Sequence, residues 1–169
     1  TALRIPEAYG GLGLSILELC VLAEETGRAL APVPFSSSVL LATEALLLGG
    51  SDAQKSKWLP RLADGSAIGA VALAEGTAAP GTRSGIKVVG GKASGMKAPV
   101  PDAALADFII LSGADGLYLV ETGAPGVHVE AVETIDLVRR SSRLVLSDAP
   151  IEPLVGGRAA LDKFLQSSA

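Results

Sequence analysis

Few side chains in this 169-residue chain have the type and spacing that chemistry needs. Its one histidine, His128, excludes histidine-centred triads and most histidine metal sites built from this chain alone. Its one cysteine, Cys20, excludes an internal disulfide or a cysteine zinc cluster, as fits a reducing cytosol. Glu75 is tempting as a proton acceptor and reads instead as a solvated or structural carboxylate. Asp136 with Arg139 and Arg140 reads as surface ion pairs, worth about 0–1 kcal/mol each, or as an interface contact, with a role in fixing the β-domain as the other option. His128, between Val127 and Val129, is expected to face outward from a strand, Cys20 to sit in a helical core, and Trp58 to anchor helix packing. Gly90-Gly91 reads as a hairpin turn, without the strand-Gly-x-Gly-x-x-Gly-helix context of a dinucleotide site.

Composition narrows the classes further. Hydrophobic residues make up 49% and charged residues 19%, which excludes a disordered polyelectrolyte. A net charge of −4 and a pI near 5.0 leave no basic patch for nucleic-acid phosphates. Aromatic residues, at 4%, are too few for base stacking. Mean hydropathy is positive at +0.44, yet no run approaches the roughly 20 apolar residues of a membrane span. Residues 39–48 come nearest, and they contain Thr43 and Glu44 and stop at Gly49-Gly50. With Arg4, Pro6 and Glu7, the first residues are not expected to form a signal peptide. The chain opens at Thr1 without a methionine and is expected to be a segment of something longer.

The elements that position these residues fall into two parts. Ser15 and Glu18 form a capping-box pattern opening a helix that Pro32 and Pro34 stop. The serines at 36–38 offer an N-cap for a second helix ending at Gly49-Gly50, and Ser51 with Gln54 opens a third that Asp64-Gly65 ends. From Ile68 the text changes to short β-branched runs at 68–73, 85–89, 107–111, 117–121, 126–132 and 143–146, with a turn at 114–116. Short strands without intervening helices predict an antiparallel barrel or sandwich. After Gly156-Gly157, residues 158–165 begin a last helix. The fold class expected is α+β: part of an N-terminal helical bundle, a small antiparallel β-barrel, and the start of a C-terminal helix.

Local text carries a resemblance. Residues 5–14, Ile-Pro-Glu-Ala-Tyr-Gly-Gly-Leu-Gly-Leu, resemble the Pro-Glu-x-Tyr-Gly-Gly-x-Gly segment of acyl-CoA dehydrogenases. Residues 24–28, Glu-Glu-Thr-Gly-Arg, resemble that family's Glu-Glu-x-Gly-Arg helix, and residues 50–65 its Gly-(Thr/Ser)-x-x-Gln-Lys-x-x-x-Leu-Pro-x-Leu-x-x-Gly stretch. The resemblance covers essentially the whole chain. It implies residues 1–65 as part of an N-terminal helical domain, 66–155 as a middle β-barrel domain and 156–169 as the start of a C-terminal helical domain.

It also implies chemistry: FAD-dependent α,β-desaturation of an acyl-CoA thioester to a trans-2-enoyl-CoA. A carboxylate takes the α-proton, donors hold the thioester oxygen, and flavin receives the β-hydride. The family's base lies in the C-terminal domain, so no catalytic residue and no metal ligand is expected within these residues. The flavin-facing positions implied are Val71, Leu73, Ala74, Ala79, Pro80, Pro99, Val100 and Pro101. Several depart from the family pattern. Ala74 stands where Thr is usual, residues 79–81 replace Gly-Ser-Asp, and Pro99 and Pro101 replace the Trp and Thr of Gly-x-Lys-x-Trp-x-Thr. Proline has no N–H to donate and no indole face. Residues 97–103 and 136–140 resemble bacterial subunits of two-gene heterotetramers, some acting on CoA-linked steroids. The flavin site is therefore read as degenerate, with FAD bound mainly by a partner subunit. The alternative function is a non-catalytic subunit completing its partner's site. A homo- or heterotetramer, an electron-transfer flavoprotein or similar acceptor, and a cytoplasmic location complete the implications.

Overall fold

The computed structural model describes residues 2–76, 85–136 and 138–167. Among the described residues, four α-helices lie at Ile16–Arg28 (α1), Thr43–Gly49 (α2), Asp52–Asp64 (α3) and Gly157–Ser167 (α4). Eight strands lie at Gly69–Ala72 (β1), Lys87–Val89 (β2), Lys92–Pro101 (β3), Phe108–Ser112 (β4), Leu117–Glu121 (β5), Val127–Val132 (β6), Ser141–Pro150 (β7) and Glu152–Pro153 (β8).

Both expected capping boxes form. Ser15 and Glu18 open α1, and Ser51 and Gln54 open α3, where the Ser51 hydroxyl accepts from the Gln54 amide at 3.2 Å and the Gln54 side chain accepts from the Ser51 amide at 3.0 Å. The two 13-residue helices then differ. α3 buries Trp58, Leu59 and Leu62, and the Trp58 ring lies 4.5 Å from that of Phe108 on β4. α1 buries Leu19 alone and leaves Ile16, Leu17 and Val21 more than half exposed. Cys20 is exposed with them, which corrects its expected core position: apolar residues surround α1 on several sides, and only the Leu19 side meets other elements.

The second helix starts as a π-helical stretch, Phe35–Ala42, before α2. Its serines do not cap it. Ser38 Oγ accepts from the Gly69 amide on β1 at 3.1 Å, and Ser37 donates to the Asp102 carboxylate in the turn after β3, so both tie the helical layer to the β-domain. Gly69 permits this approach, because a Cβ there would stand 2.6 Å from Ala42 Cβ and 2.7 Å from the Phe108 ring.

The strands form two sheets, ordered β1-β4-β5-β8 and β2-β3-β7-β6. The second is antiparallel throughout, as expected for the barrel. The first departs at one pair: β1 and β4 run parallel, because the chain leaves β1, builds β2 and β3 in the other sheet and returns in the same direction. An isolated parallel bridge, Glu75 to Ala98, joins the two sheets. Gly90 and Gly91, both at positive φ, make the expected two-residue turn between β2 and β3.

The first sheet is covered on both faces. Phe108, Ile110, Leu117 and Leu119 pack against the helices, while Ile109, Leu111, Tyr118 and Val120 face the second sheet. Hence β4 reads as a continuous apolar run, whereas β7 alternates. No helix among the described residues is long and apolar enough to cross a membrane.

Candidate functional site

Ten-residue β3 was not expected from sequence, since Gly95, Pro99 and Pro101 punctuate it. It accommodates them with register shifts between Ala93 and Gly95 and between Lys97 and Val100. Gly95, at φ +141°, lies so close to the Gly85 carbonyl that a Cβ would stand 2.6 Å from it.

The end of β3 meets the segment after β1. The Ala98 amide donates to the Ala74 carbonyl at 3.1 Å, and the Gly76 amide donates to the Ala98 carbonyl at 2.8 Å. This brings Ala74 beside Pro99, Val100 and Pro101. Pro99 is exposed, Ala74 and Pro101 are half-buried, and Val100 is fully buried between the sheets. Val71 is buried on the helical side of β1, with Leu73 packed at the edge of the same core. Ala79 and Pro80 lie outside the described residues.

The polar inventory of this edge is short. The amides of Gly76, Ala98 and Asp102 are committed to the carbonyls of Ala98, Ala74 and Arg140, and Pro99 and Pro101 have no N–H. Ser141 is the register partner of Pro101 on β7, so both side chains leave the same face of the sheet. Its buried hydroxyl has no hydrogen-bond partner among the described residues.

Behind the edge sits a buried cation, the Lys that this chain keeps from the Gly-x-Lys-x-Trp-x-Thr pattern and to which sequence reading gave no role. Lys97 has no exposed side-chain area; its Nζ donates to the Glu75 carboxylate and to Ser112 Oγ, the latter at 2.9 Å. The second Glu75 oxygen accepts from the Gly85 amide at 2.7 Å, which makes Glu75 the structural carboxylate expected. Burial pushes the Lys97 ammonium below its ordinary range, opposed by the hydrogen bond and charge of Glu75. Retention of Lys97, with Gly95, from the family's Gly-x-Lys pattern was the available signal.

Elsewhere, His128 is exposed on β6 as expected. Asp136 does not form the expected ion pairs with Arg139 and Arg140. Its carboxylate accepts from the amides of Val138 and Arg139 at 2.9 and 3.2 Å, capping its own loop, which a short acidic side chain does without any cation. Among the described residues no cluster of metal-binding side chains occurs.

Helices packed on one face of a mixed sheet, with a second sheet on the other, define the class of protein, and comparison with known proteins agrees. Residues 1–66 match the family described as acyl-CoA dehydrogenase, N-terminal domain. The chain belongs to the acyl-CoA dehydrogenase family. It is 37% identical over 137 residues to the acyl-CoA dehydrogenase FadE27 of Mycobacterium tuberculosis, an alignment covering 78% of this chain and 36% of that protein. It superposes on a variant of the Tcur3481-Tcur3483 steroid ACAD with TM-score 0.86 and 35% identity, covering 99% of this chain and 47% of the other. Against the ChsE4-ChsE5 complex of Mycobacterium tuberculosis the TM-score is 0.84 at 27% identity, covering 98% and 47%. The chain thus spans between a third and a half of the length of these relatives.

Proposed function

We propose that this chain serves an acyl-CoA dehydrogenase that desaturates an acyl-CoA thioester to a trans-2-enoyl-CoA, with FAD as hydride acceptor and the proton-abstracting carboxylate supplied from outside these 169 residues. The observation that carries the reading is the junction of Ala74 with the 98–101 segment, which unites the two stretches that resemble the family's flavin-facing motifs. In this reading residues 1–65, 66–155 and 156–169 are parts of three domains. When bound, the flavin supplies the redox chemistry.

Among the described residues, this edge offers a flavin apolar surface and one unpartnered buried side-chain group, the Ser141 hydroxyl. Pro99 and Pro101 offer apolar surface that excludes water, and the neighbouring amides of Gly76, Ala98 and Asp102 are already committed. That inventory supports a flavin held mainly by a partner subunit, and it favours a second reading in which this chain completes the partner's site without a flavin of its own. Likeness to the ChsE4-ChsE5 complex and to a steroid ACAD supports a heteromeric assembly and a steroid- or fatty-acyl-CoA substrate. An electron-transfer flavoprotein-type acceptor and a cytoplasmic location belong to the same proposal.

The test is the flavin content of the chain co-purified with a flavin-bearing acyl-CoA dehydrogenase subunit. One flavin for each polypeptide supports the first reading in its simplest form. One flavin for each pair supports the shared site, and failure of the two chains to associate contradicts it.

A further inference from the structure

Replacing a buried ion pair by apolar side chains of similar size is often neutral or stabilising, so a Lys held without exposed surface calls for a reason other than core stability. Lys97 joins three elements: its own strand β3, Ser112 at the end of β4, and Glu75 in the segment following β1. One residue further along β3 lies the bridge between the sheets, formed by the Ala98-to-Ala74 and Gly76-to-Ala98 hydrogen bonds. Two backbone hydrogen bonds at a strand end fray readily. The Lys97–Glu75 pair lies directly beside them and spans the same gap with side chains.

We propose that Lys97 is a positioning residue: through Glu75 and Ser112 it holds residues 74–76 in register against residues 98–101, so that the edge they form keeps one shape toward a bound flavin. The functional part rests on the acyl-CoA dehydrogenase reading, whereas the joint itself does not. Glu75 is then the acceptor that gives the segment after β1 its fixed position, and Ser112 fixes the ammonium relative to the first sheet.

Two experiments test this. In the first, amide hydrogen exchange is followed on the chain itself, carrying Lys97→Met, Lys97→Arg, Glu75→Gln or Ser112→Ala. Exchange at Gly76 and Ala98 is expected to rise by about tenfold or more in Lys97→Met while amides of β4 and β5 stay protected, with Lys97→Arg restoring much of the protection. Unchanged exchange at Gly76 and Ala98, or a parallel rise across β4 and β5 in the milder Glu75→Gln and Ser112→Ala variants as well, overturns the proposal. In the second, the same variants are co-purified with a flavin-bearing subunit and the release of flavin is timed. Faster release from Lys97→Met with rescue by Lys97→Arg is expected, and equal release overturns the positioning role. If exchange responds as expected but no assembly ever retains flavin, the joint stands and the flavin-dependent function proposed above fails.

Discussion

The two sheets of this molecule are built from similar residues and live in different surroundings. In β4 and β5 nearly every side chain is buried, because helices cover one face and the second sheet covers the other. In β7 alternate side chains are buried, in β6 only Val127 and Val129 are partly covered, and the outer face is open. The first sheet is a rigid middle layer; the second presents a surface. The candidate site lies where the two join, at the Glu75–Ala98 bridge, and its exposed members sit at the end of β3 in the second sheet.

The largest expected effect comes from the middle layer. Phe108 is fully buried, packs on Trp58 and lies under Gly69, so Phe108→Ala is expected to destabilise the fold by about 3–5 kcal/mol in urea unfolding. A loss below about 1 kcal/mol would erase the distinction between the sheets.

A second effect sharpens it through pH. The Tyr118 hydroxyl, on the inner face of the first sheet, donates to Asp115 at 2.6 Å and is pushed up to about 12 by burial first and by Asp115 second. A folded-state value raised above the unfolded one means that stability is complete below pH ~10 and is lost progressively as pH rises toward ~12. Tyr118→Phe is expected to remove that alkaline loss, measured as the difference in unfolding free energy between the two proteins across this range.

The smallest effect belongs to the open face. Val89 on β2 is 78% exposed, and Val89→Thr is expected to change stability by less than about 0.5 kcal/mol. A cost like that of Phe108→Ala would mean that the second sheet is covered in solution by something bound to it.

Local signals in the sequence carried much of this. The two capping boxes, the Gly90-Gly91 turn and strand β5 depend on residues within a few positions of each other, and they form as expected. What depended on distant partners was not legible. Strand β3 was hidden by Gly95, Pro99 and Pro101, which its bulges absorb only because β7 pairs alongside. The parallel β1–β4 pair follows from the crossover through β2 and β3. Ser37 and Ser38 looked like caps and instead reach the turn after β3 and strand β1, and Cys20 looked like core on a helix of which only the Leu19 side is packed. At the candidate site, the family text located the segments around Ala74 and Pro99, but the burial of Lys97 against Glu75 and Ser112 needed three-dimensional contacts spanning 22 and 15 residues.

The function proposed for this chain is a part in flavin-dependent desaturation of an acyl-CoA. Its most direct test is to add acyl-CoA substrates, fatty and steroid-linked, anaerobically to the chain co-purified with a flavin-bearing subunit, while following the visible flavin band and the formation of enoyl-CoA. Bleaching of the flavin in step with enoyl-CoA is the expected result. An assembly whose retained flavin is bleached by dithionite but by no acyl-CoA would contradict the claim.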